Sequence, residues 1–95
     1  MEEGEDMESG HANEELVMAF DSTQQALRAE MLMEYVGLDI DTCPTPKEIT
    51  AGCALSIQFH SDNLEQVKSL VVTEHIEIKG IFCKQGAEYI IISIT

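Results

Sequence analysis

The amino-acid sequence predicts an α+β fold, a ferredoxin-like split β-α-β sandwich (βαββαβ) with an extra C-terminal strand. Two observations support this prediction. Segments with the alternating pattern of strands and segments with the periodicity of helices follow one another in the order β-α-β-β-α-β-β. Each predicted helix also has one apolar side, as expected for helices that cover one face of a sheet. This topology places the strands in the order 4-1-3-2, and a fifth strand extends the sheet beside strand four.

The first two elements are a strand and a helix. Apolar residues dominate 16–20 and the larger ones alternate, which predicts a strand with one well-buried face. Ser22 and Gln25 have the spacing of a helix capping box, and Gly37 suits a left-handed helix end. We therefore predict a helix over 23–36.

Five further elements follow in the second part of the chain. Their predicted ranges are a strand over 38–42, a strand over 54–59, a helix over 62–73, a strand over 76–83 and a strand over 88–95. Pro44 ends the first of these strands, because proline has no N–H for a β-ladder. Ser61 or Asp62 is expected to cap the helix.

The distribution of charge separates an acidic tail from the rest of the chain. Residues 1–13, MEEGEDMESGHAN, are rich in acidic residues and contain few apolar side chains. Such a segment buries too little apolar surface to offset the entropy that ordering costs. We therefore predict a disordered acidic tail over 1–13 and a single domain over 14–95, since a chain of this length fits one core.

The formal net charge of −13 argues against two classes of partner. The five basic residues are scattered and form no positive stripe, so we expect neither nucleic acid nor an anionic membrane as a partner. The longest apolar runs are far shorter than the ~20 residues that span a bilayer, and the acidic N-terminus differs from a signal peptide. We therefore expect a cytoplasmic protein, and no cofactor is indicated.

Two of the three cysteines are expected at one end of the sheet. Strands one and two end there and strand three begins there, which brings Cys43 and Cys53 to the same edge. Helix one also starts at this edge, so its free N–H groups and its positive dipole end face the region of Cys53. Helix N-termini and nearby cations lower thiol pKa values, and Lys47 is the cation of the intervening loop. One interpretation is therefore a reactive thiolate at Cys53.

Other interpretations of these cysteines remain open. A disulfide between Cys43 and Cys53 is disfavoured, because their opposite strand parity turns the side chains apart. A metal site is disfavoured, because the cysteines and histidines lack the paired spacing of zinc ligands. Parity alone favours Cys53 as a small apolar residue at the mouth of the core, and a structural role is also expected for Cys83.

Several spaced motifs resemble the putative selenium/sulfur carrier protein-like family of small domains. The motifs are FDSTQQALRAE at 20–30, PTPKEITAGCALSIQF at 44–59 and IEIKGIF at 76–82. The resemblance implies that Cys53 is the carrier thiol. It also implies binding residues at Ser22, Thr23, Thr45, Pro46 and Lys47. Two positions depart from the family pattern, since Lys47 replaces an arginine and Ala54 replaces a glycine.

A second, shorter resemblance concerns Cys43. The four residues CPTP at 43–46 have the C-P-x-P form of TusA-like sulfur carriers, in which the cysteine accepts sulfur. This resemblance implies Cys43 as another candidate for the working thiol. In those carriers the motif opens a helix, whereas the pattern of this chain places it at the end of a strand.

The resemblance implies a carrier protein that holds sulfur or selenium as a persulfide-type adduct, with a cysteine desulfurase-like donor and an acceptor protein as partners. The alternative is a non-enzymatic ferredoxin-like module that binds a protein or small molecule and whose cysteines only pack. A classical enzyme is not indicated, because no histidine is placed to serve either thiol. In addition, the apolar strand over 88–95 predicts a homodimer through this edge of the sheet.

Overall fold

The computed structural model describes residues 14–94, so the predicted acidic tail and the last residue lie outside the described residues. The elements in chain order are β1 (Glu15–Ala19), α1 (Thr23–Tyr35), β2 (Ile40–Pro44), β3 (Leu55–His60), α2 (Leu64–Thr73), β4 (Gly80–Gln85) and β5 (Glu88–Ser93). A short 3-10 turn over Ser61–Asn63 leads into α2. The prediction of a small α+β domain with two helices is confirmed.

The five strands form one antiparallel sheet in the order β2-β3-β1-β4-β5. Read from the other edge, the order is β5-β4-β1-β3-β2, so each strand has the neighbours that the sequence analysis predicts. The central strand is β1, in which Leu16 lies opposite Phe59 of β3 and Cys83 of β4. The chain segments that follow β1 are therefore held at the middle of the sheet.

Both helices pack on one face of the sheet and form the main core with it. Alternate strand residues supply the sheet side of this core, and α1 and α2 supply the other side. Its largest fully buried side chains are Phe20, Phe59, Leu16, Met18, Met33, Ile57, Ile81 and Val67. A two-layer arrangement of this kind needs one apolar stripe on each helix, as the sequence predicts.

The face of the sheet opposite the helices is also covered in part. Residues 45–54 form the β2–β3 loop, and this loop folds back over the opposite face. Ile49 of the loop is buried against Val17 and Ala19 of β1, with Phe82 and Tyr89 packed around them. The loop thus has an apolar anchor of its own, because Val17 and Ala19 would otherwise expose the centre of the sheet to water.

Two local predictions need correction around α2. The α2 helix follows a 3-10 turn that is capped by His60, whose Nδ1 accepts from the Asp62 N–H at 3.3 Å, so the cap is neither Ser61 nor Asp62. The β4 strand begins at Gly80 and not at Ile76. The reason is that Ile76 closes the end of α2, since its N–H donates to the Val71 carbonyl at 3.0 Å. Ile76 is buried, but as part of a helix end.

The predicted capping of α1 is confirmed in part. The Ser22 hydroxyl accepts from the Gln25 N–H at 3.4 Å, as in a capping box. The Gln25 side chain, in contrast, accepts from the Glu77 N–H at 3.1 Å, which ties the start of α1 to the segment before β4. Gly37 has φ of 83° and stops the helix in the left-handed conformation.

Within residues 14–94, no helix is long and apolar enough to cross a membrane.

Removal of core volume from β3 is expected to destabilise the fold. The Ile57 side chain is fully buried between the sheet and the helices, so Ile57→Ala should lower the free energy of unfolding by about 2–5 kcal/mol. Val72 on α2 is 61% exposed, and Val72→Ala should change that free energy by less than about 1 kcal/mol. Urea unfolding followed by circular dichroism measures both, and equal losses would contradict the assignment of the core.

Candidate functional site

Cys53 lies where the end of the β2–β3 loop meets the turn between β1 and α1. Its N–H donates to the Phe20 carbonyl at 3.0 Å. Its sulfur accepts from the Leu55 N–H at 3.3 Å and lies 3.3 Å from the Thr23 hydroxyl oxygen. The two polar groups nearest to the sulfur can therefore both donate hydrogen bonds to it.

The neighbourhood of this sulfur follows from the start of α1. Ser22 is the N-cap and Thr23 is the first helical residue, so the sulfur lies beside the first turn of α1. The N–H groups of a first helical turn have no partner within the helix, and the helix dipole is positive there. The sequence prediction that α1 starts next to Cys53 is confirmed. Two hydrogen-bonding groups, the Leu55 N–H and the Thr23 hydroxyl, therefore contact the sulfur at the start of this helix.

The sulfur is sealed from solvent in this conformation. Cys53 is only 3% exposed and belongs to the main core cluster. Thr23, whose hydroxyl contacts the sulfur, and Gly52, the residue before Cys53, are both exposed. Any reagent or partner that reaches Cys53 therefore requires a movement of the covering segment.

The Asp21 side chain helps to hold the end of the β2–β3 loop against the β1–α1 turn. The exposed Asp21 carboxylate accepts from the Gly52 N–H at 2.8 Å. Gly52 is required at this contact, because a Cβ atom at position 52 would lie 2.7 Å from the Asp21 carbonyl oxygen. The Asp21 carboxylate and the Phe20 carbonyl thus hold two consecutive N–H groups of the loop, those of Gly52 and Cys53.

Thr45 fastens the other end of the loop. Its hydroxyl donates to the Cys53 carbonyl at 2.9 Å and lies 2.6 Å from the Ser56 hydroxyl oxygen. Because threonine has one hydroxyl proton, Ser56 is the donor in the second bond. This contact satisfies the buried Ser56 hydroxyl. The Thr45 side chain, predicted to bind a ligand, is therefore occupied in holding the loop across Cys53.

Pro46 and Lys47 lie in a turn of the same loop. The Pro46 carbonyl accepts from the Ile49 N–H at 2.9 Å, which directs Ile49 toward the sheet. Lys47 is exposed in this turn. Roles in binding for Pro46, Lys47, Ser22 and Thr23 stay predictions.

The structure gives Cys43 an unfavourable setting for a thiolate. Cys43 and Pro44 lie within β2, opposite Ser56 and Leu55, so the CPTP run opens no helix. Partial burial, and in second place the negative charge of Asp41, raise the pKa of the Cys43 thiol. Cys43 therefore stays protonated at neutral pH.

Cys83 is also held as a thiol. Its sulfur donates to the Glu14 carboxylate at 3.2 Å. Burial, followed by the hydrogen bond and the charge of Glu14, raises the pKa of the Cys83 thiol. None of the three cysteines forms a disulfide. Cys43 and Cys83 differ from Cys53 in that the carboxylates of Asp41 and Glu14, respectively, raise their pKa values.

Residues 14–94 contain no group of three or more histidine, cysteine, aspartate or glutamate side chains that is arranged to hold a metal ion.

The sequence analysis missed Asp21, Leu55 and Ser56 as neighbours of Cys53 or of its loop. Asp21 stands one residue before the helix cap, and in a sequence it is indistinguishable from an acid that favours a helix start. Leu55 contributes only its backbone N–H, which no sequence pattern reveals. Ser56 could have been found from the sequence. It is a serine among the apolar residues of β3, and a buried serine in such a strand requires a polar partner.

Three comparisons with known proteins give one match. A family model described as "Putative Se/S carrier protein-like" matches residues 15–83, which include every element from β1 to most of β4. Neither the curated proteins nor the solved structures include a match to this chain.

Release of the Asp21 contact is expected to expose Cys53. Asp21→Ala removes the acceptor of the Gly52 N–H, which lowers the cost of loop opening by about 1 kcal/mol and should speed Cys53 alkylation about fivefold. Native-state iodoacetamide labelling, read for each cysteine by peptide mass, measures this rate.

Two matched variants control this experiment. Asp21→Asn keeps a side-chain oxygen as acceptor and should stay nearer to the wild-type rate. Asp39→Ala removes an exposed acid elsewhere and should leave the rate unchanged. Equal acceleration by Asp21→Ala and Asp39→Ala would show that charge, and not the contact with Gly52, controls access.

The pH profile of Cys43 alkylation should move when Asp41 loses its charge. Because Asp41 raises the pKa of the Cys43 thiol, Asp41→Asn should shift the alkylation profile of Cys43 to lower pH. The shift is partial, since burial is the larger cause. Asp39→Asn is the matched control, and an equal shift in both variants would contradict a specific effect of Asp41.

Proposed function

Because the chain belongs to the family described as "Putative Se/S carrier protein-like", we propose that it carries a sulfur or selenium atom on the Cys53 sulfur. The adduct is a persulfide, or its selenium analogue, that forms on a donor protein and passes to an acceptor protein. The family match supports the general role of carrier. The choice of Cys53 and the covalent mechanism rest on the geometry of the site.

One observation favours Cys53 over the other two thiols. The Leu55 N–H and the Thr23 hydroxyl surround the Cys53 sulfur with hydrogen-bond donors at the start of α1. The carboxylates of Asp41 and Glu14 instead oppose ionisation of Cys43 and Cys83. Thiolates are the nucleophilic form of cysteine, and the two carboxylates act against that form at Cys43 and Cys83.

The proposed transfer needs no oxidant. The Cys53 thiolate attacks the terminal sulfur of a donor persulfide, R–S–SH, and a new S–S bond forms at Cys53. The S–S bond of the donor breaks, its inner sulfur leaves as a thiolate, and the proton stays on the transferred sulfur. Attack by an acceptor thiolate on that terminal sulfur reverses these steps and restores the Cys53 thiolate. Selenium follows the same path as the terminal atom.

Access to the sulfur is part of this proposal. The donor reaches Cys53 only when the end of the β2–β3 loop moves away from the β1–α1 turn, since Cys53 is buried in the closed form. The bond from the Cys53 N–H to the Phe20 carbonyl, the bond from the Gly52 N–H to the Asp21 carboxylate and the Thr45 contact hold this end closed. Loop segments of this kind open at lower cost than core strands, and Ile49 keeps the rest of the loop on the sheet.

The ferredoxin-like assignment belongs to the same proposal. The sheet order and the packing of both helices on one face support it. In such a fold the β1–α1 turn and the β2–β3 loop meet at one end of the sheet, which is where Cys53 lies. A carrier with this architecture presents its reactive atom at an edge that a partner can approach.

The burial of Cys53 favours a second candidate function. A sulfur at 3% exposure in the main core also suits a structural thiol in a non-enzymatic binding module. The two functions differ in one measurable property, the capacity of the native protein to accept a sulfur atom on Cys53.

Sulfur loading of the native protein tests the proposed function. The protein is incubated anaerobically with a small hydropersulfide, and intact mass counts the added sulfur atoms. The wild type, Cys43→Ser and Cys83→Ser should each gain one sulfur at the same rate, whereas Cys53→Ser should gain none. Peptide mass locates the adduct, and an acceptor thiol added afterwards should remove it.

Two results would contradict the proposal. Loss of the adduct in Cys43→Ser alone would assign the carrier role to the CPTP site. Slow, equal labelling of all three thiols, with full labelling only in urea, would favour the structural role of Cys53 and the binding module.

A further inference from the structure

The outer side of α1 carries apolar residues that the core does not use. Leu27, Met31 and Tyr35 are 47%, 69% and 88% exposed. They stand four residues apart, so they form one row along the surface of the helix, which we call the α1 stripe. The residues through which α1 is buried in the core are different ones, namely Ala26, Ala29 and Met33.

The α1 stripe starts beside the Cys53 sulfur. Thr23 stands four residues before Leu27 and therefore lies at the start of the same row, and its hydroxyl oxygen is 3.3 Å from that sulfur. At a helical rise of about 1.5 Å per residue, Leu27 lies about 6 Å and Met31 about 12 Å along the axis from Thr23. The stripe is thus continuous with the site.

A protein that exchanges sulfur with Cys53 has to cover the surface around this residue. A standard interface buries about 800 Å² on each partner, which corresponds to a patch of about 16 Å radius and extends beyond Leu27 and Met31 along α1. The other adjoining surface is the β2–β3 loop. Its exposed residues include Lys47, Glu48 and Thr50. Because the centre of an interface is apolar and its rim polar, α1 suits the centre better than the loop does.

The α1 helix is also the fixed side of the site. The end of the β2–β3 loop has to move before a partner reaches Cys53, because the sulfur is buried in the closed form. The core residues of α1, in contrast, are fully buried and hold the helix on the sheet. A partner bound to the α1 stripe therefore keeps its position while the loop end opens.

Charge indicates the chemistry of the partner. Glu30 and Glu34 follow Leu27 and Met31 by three residues, so they flank the stripe on the helix surface. An apolar patch bordered by lysine or arginine side chains complements this arrangement. A second copy of this chain, docked through the same stripe, would instead bring its own glutamates against Glu30 and Glu34.

We propose that the α1 stripe is the docking surface for the protein that donates sulfur to Cys53, and that this donor presents an apolar patch bordered by lysine or arginine. The inference rests on the proposed function, because the stripe is assigned to a donor through its continuity with the Cys53 site. The transfer is the exchange described above. The Cys53 thiolate attacks the terminal sulfur of the donor persulfide, and the inner sulfur of the donor leaves as a thiolate.

Two sulfur donors of different size separate docking from chemistry. One is a cysteine desulfurase that holds a persulfide on its own cysteine, and the other is a small hydropersulfide that reaches Cys53 without contact to the stripe. Met31→Glu should lower the rate of transfer from the desulfurase about tenfold and leave the rate from the hydropersulfide unchanged. Intact mass after timed quenching measures both rates, and circular dichroism checks the fold.

A matched variant controls for the added charge. Ile90→Glu makes the same kind of change at a residue of 44% exposure, close to that of Leu27. Ile90 lies on β5, three strands from β3 in the sheet, and the variant should keep both wild-type rates.

A charge reversal tests the basic border of the donor. Glu34→Lys should lower the rate of transfer from the desulfurase about threefold, and higher salt should lower the wild-type rate. Glu88→Lys makes the same reversal at an exposed position on β5 and should have no effect.

Three results would overturn the proposal while sulfur loading from the hydropersulfide still succeeds. They are equal rates from the desulfurase and from the hydropersulfide at the same concentration, a wild-type rate for Met31→Glu with the desulfurase, and an equal loss in Met31→Glu and Ile90→Glu. A dimer in light scattering that Met31→Glu dissociates would assign the stripe to a second copy and also overturn it. Failure of the hydropersulfide to load Cys53 would instead refute the proposed function itself.

Discussion

The hydrogen bond from the Cys53 N–H to the Phe20 carbonyl joins the two parts of the chain on which the site depends. It links the β2–β3 loop to Phe20, the residue that directly follows the central strand β1. With this bond in place, the Gly52 N–H reaches Asp21 and the Cys53 sulfur reaches Thr23. The Thr45 hydroxyl and the buried Ile49 hold other parts of the same loop, but this bond is the backbone contact that joins Cys53 itself to the β1–α1 turn.

The three thiols of this chain show how a fold gives one residue type different chemistry. Each is at least partly buried, and burial by itself disfavours a thiolate. Their hydrogen-bond and charge partners differ, because Glu14 accepts a hydrogen bond from the Cys83 thiol and Asp41 adds negative charge near Cys43. At Cys53 the neighbours of the sulfur are instead a backbone N–H and a hydroxyl.

The sequence predicts the order of elements and the meeting of α1 with Cys53, because apolar periodicity and chain connectivity determine both. It does not predict the burial of Val17 and Ala19, since their cover is Ile49, one apolar residue in an otherwise polar loop. The sequence also predicts Ile76 in a strand, although it closes the end of α2. A buried apolar residue at a helix end and one in a strand look the same in an amino-acid sequence. Contacts that use backbone groups, such as those of Leu55 and Gly52, leave no trace in side-chain patterns.

A carrier needs a thiolate that is protected between transfers and available during them, and these demands conflict in a rigid site. A persulfide exposed to water exchanges with any thiol, whereas one buried in the core meets no partner. The arrangement around Cys53 separates the two demands in space. Ile49 holds the middle of the loop by apolar contact, while exposed hydrogen bonds hold the end above the sulfur. In the proposed function, opening of this end exchanges the exposed hydrogen bonds for water and also breaks the buried bond from the Cys53 N–H to the Phe20 carbonyl, while Ile49 keeps the middle of the loop on the sheet. Under that proposal, the surface that stabilises the open loop selects the donor and the acceptor.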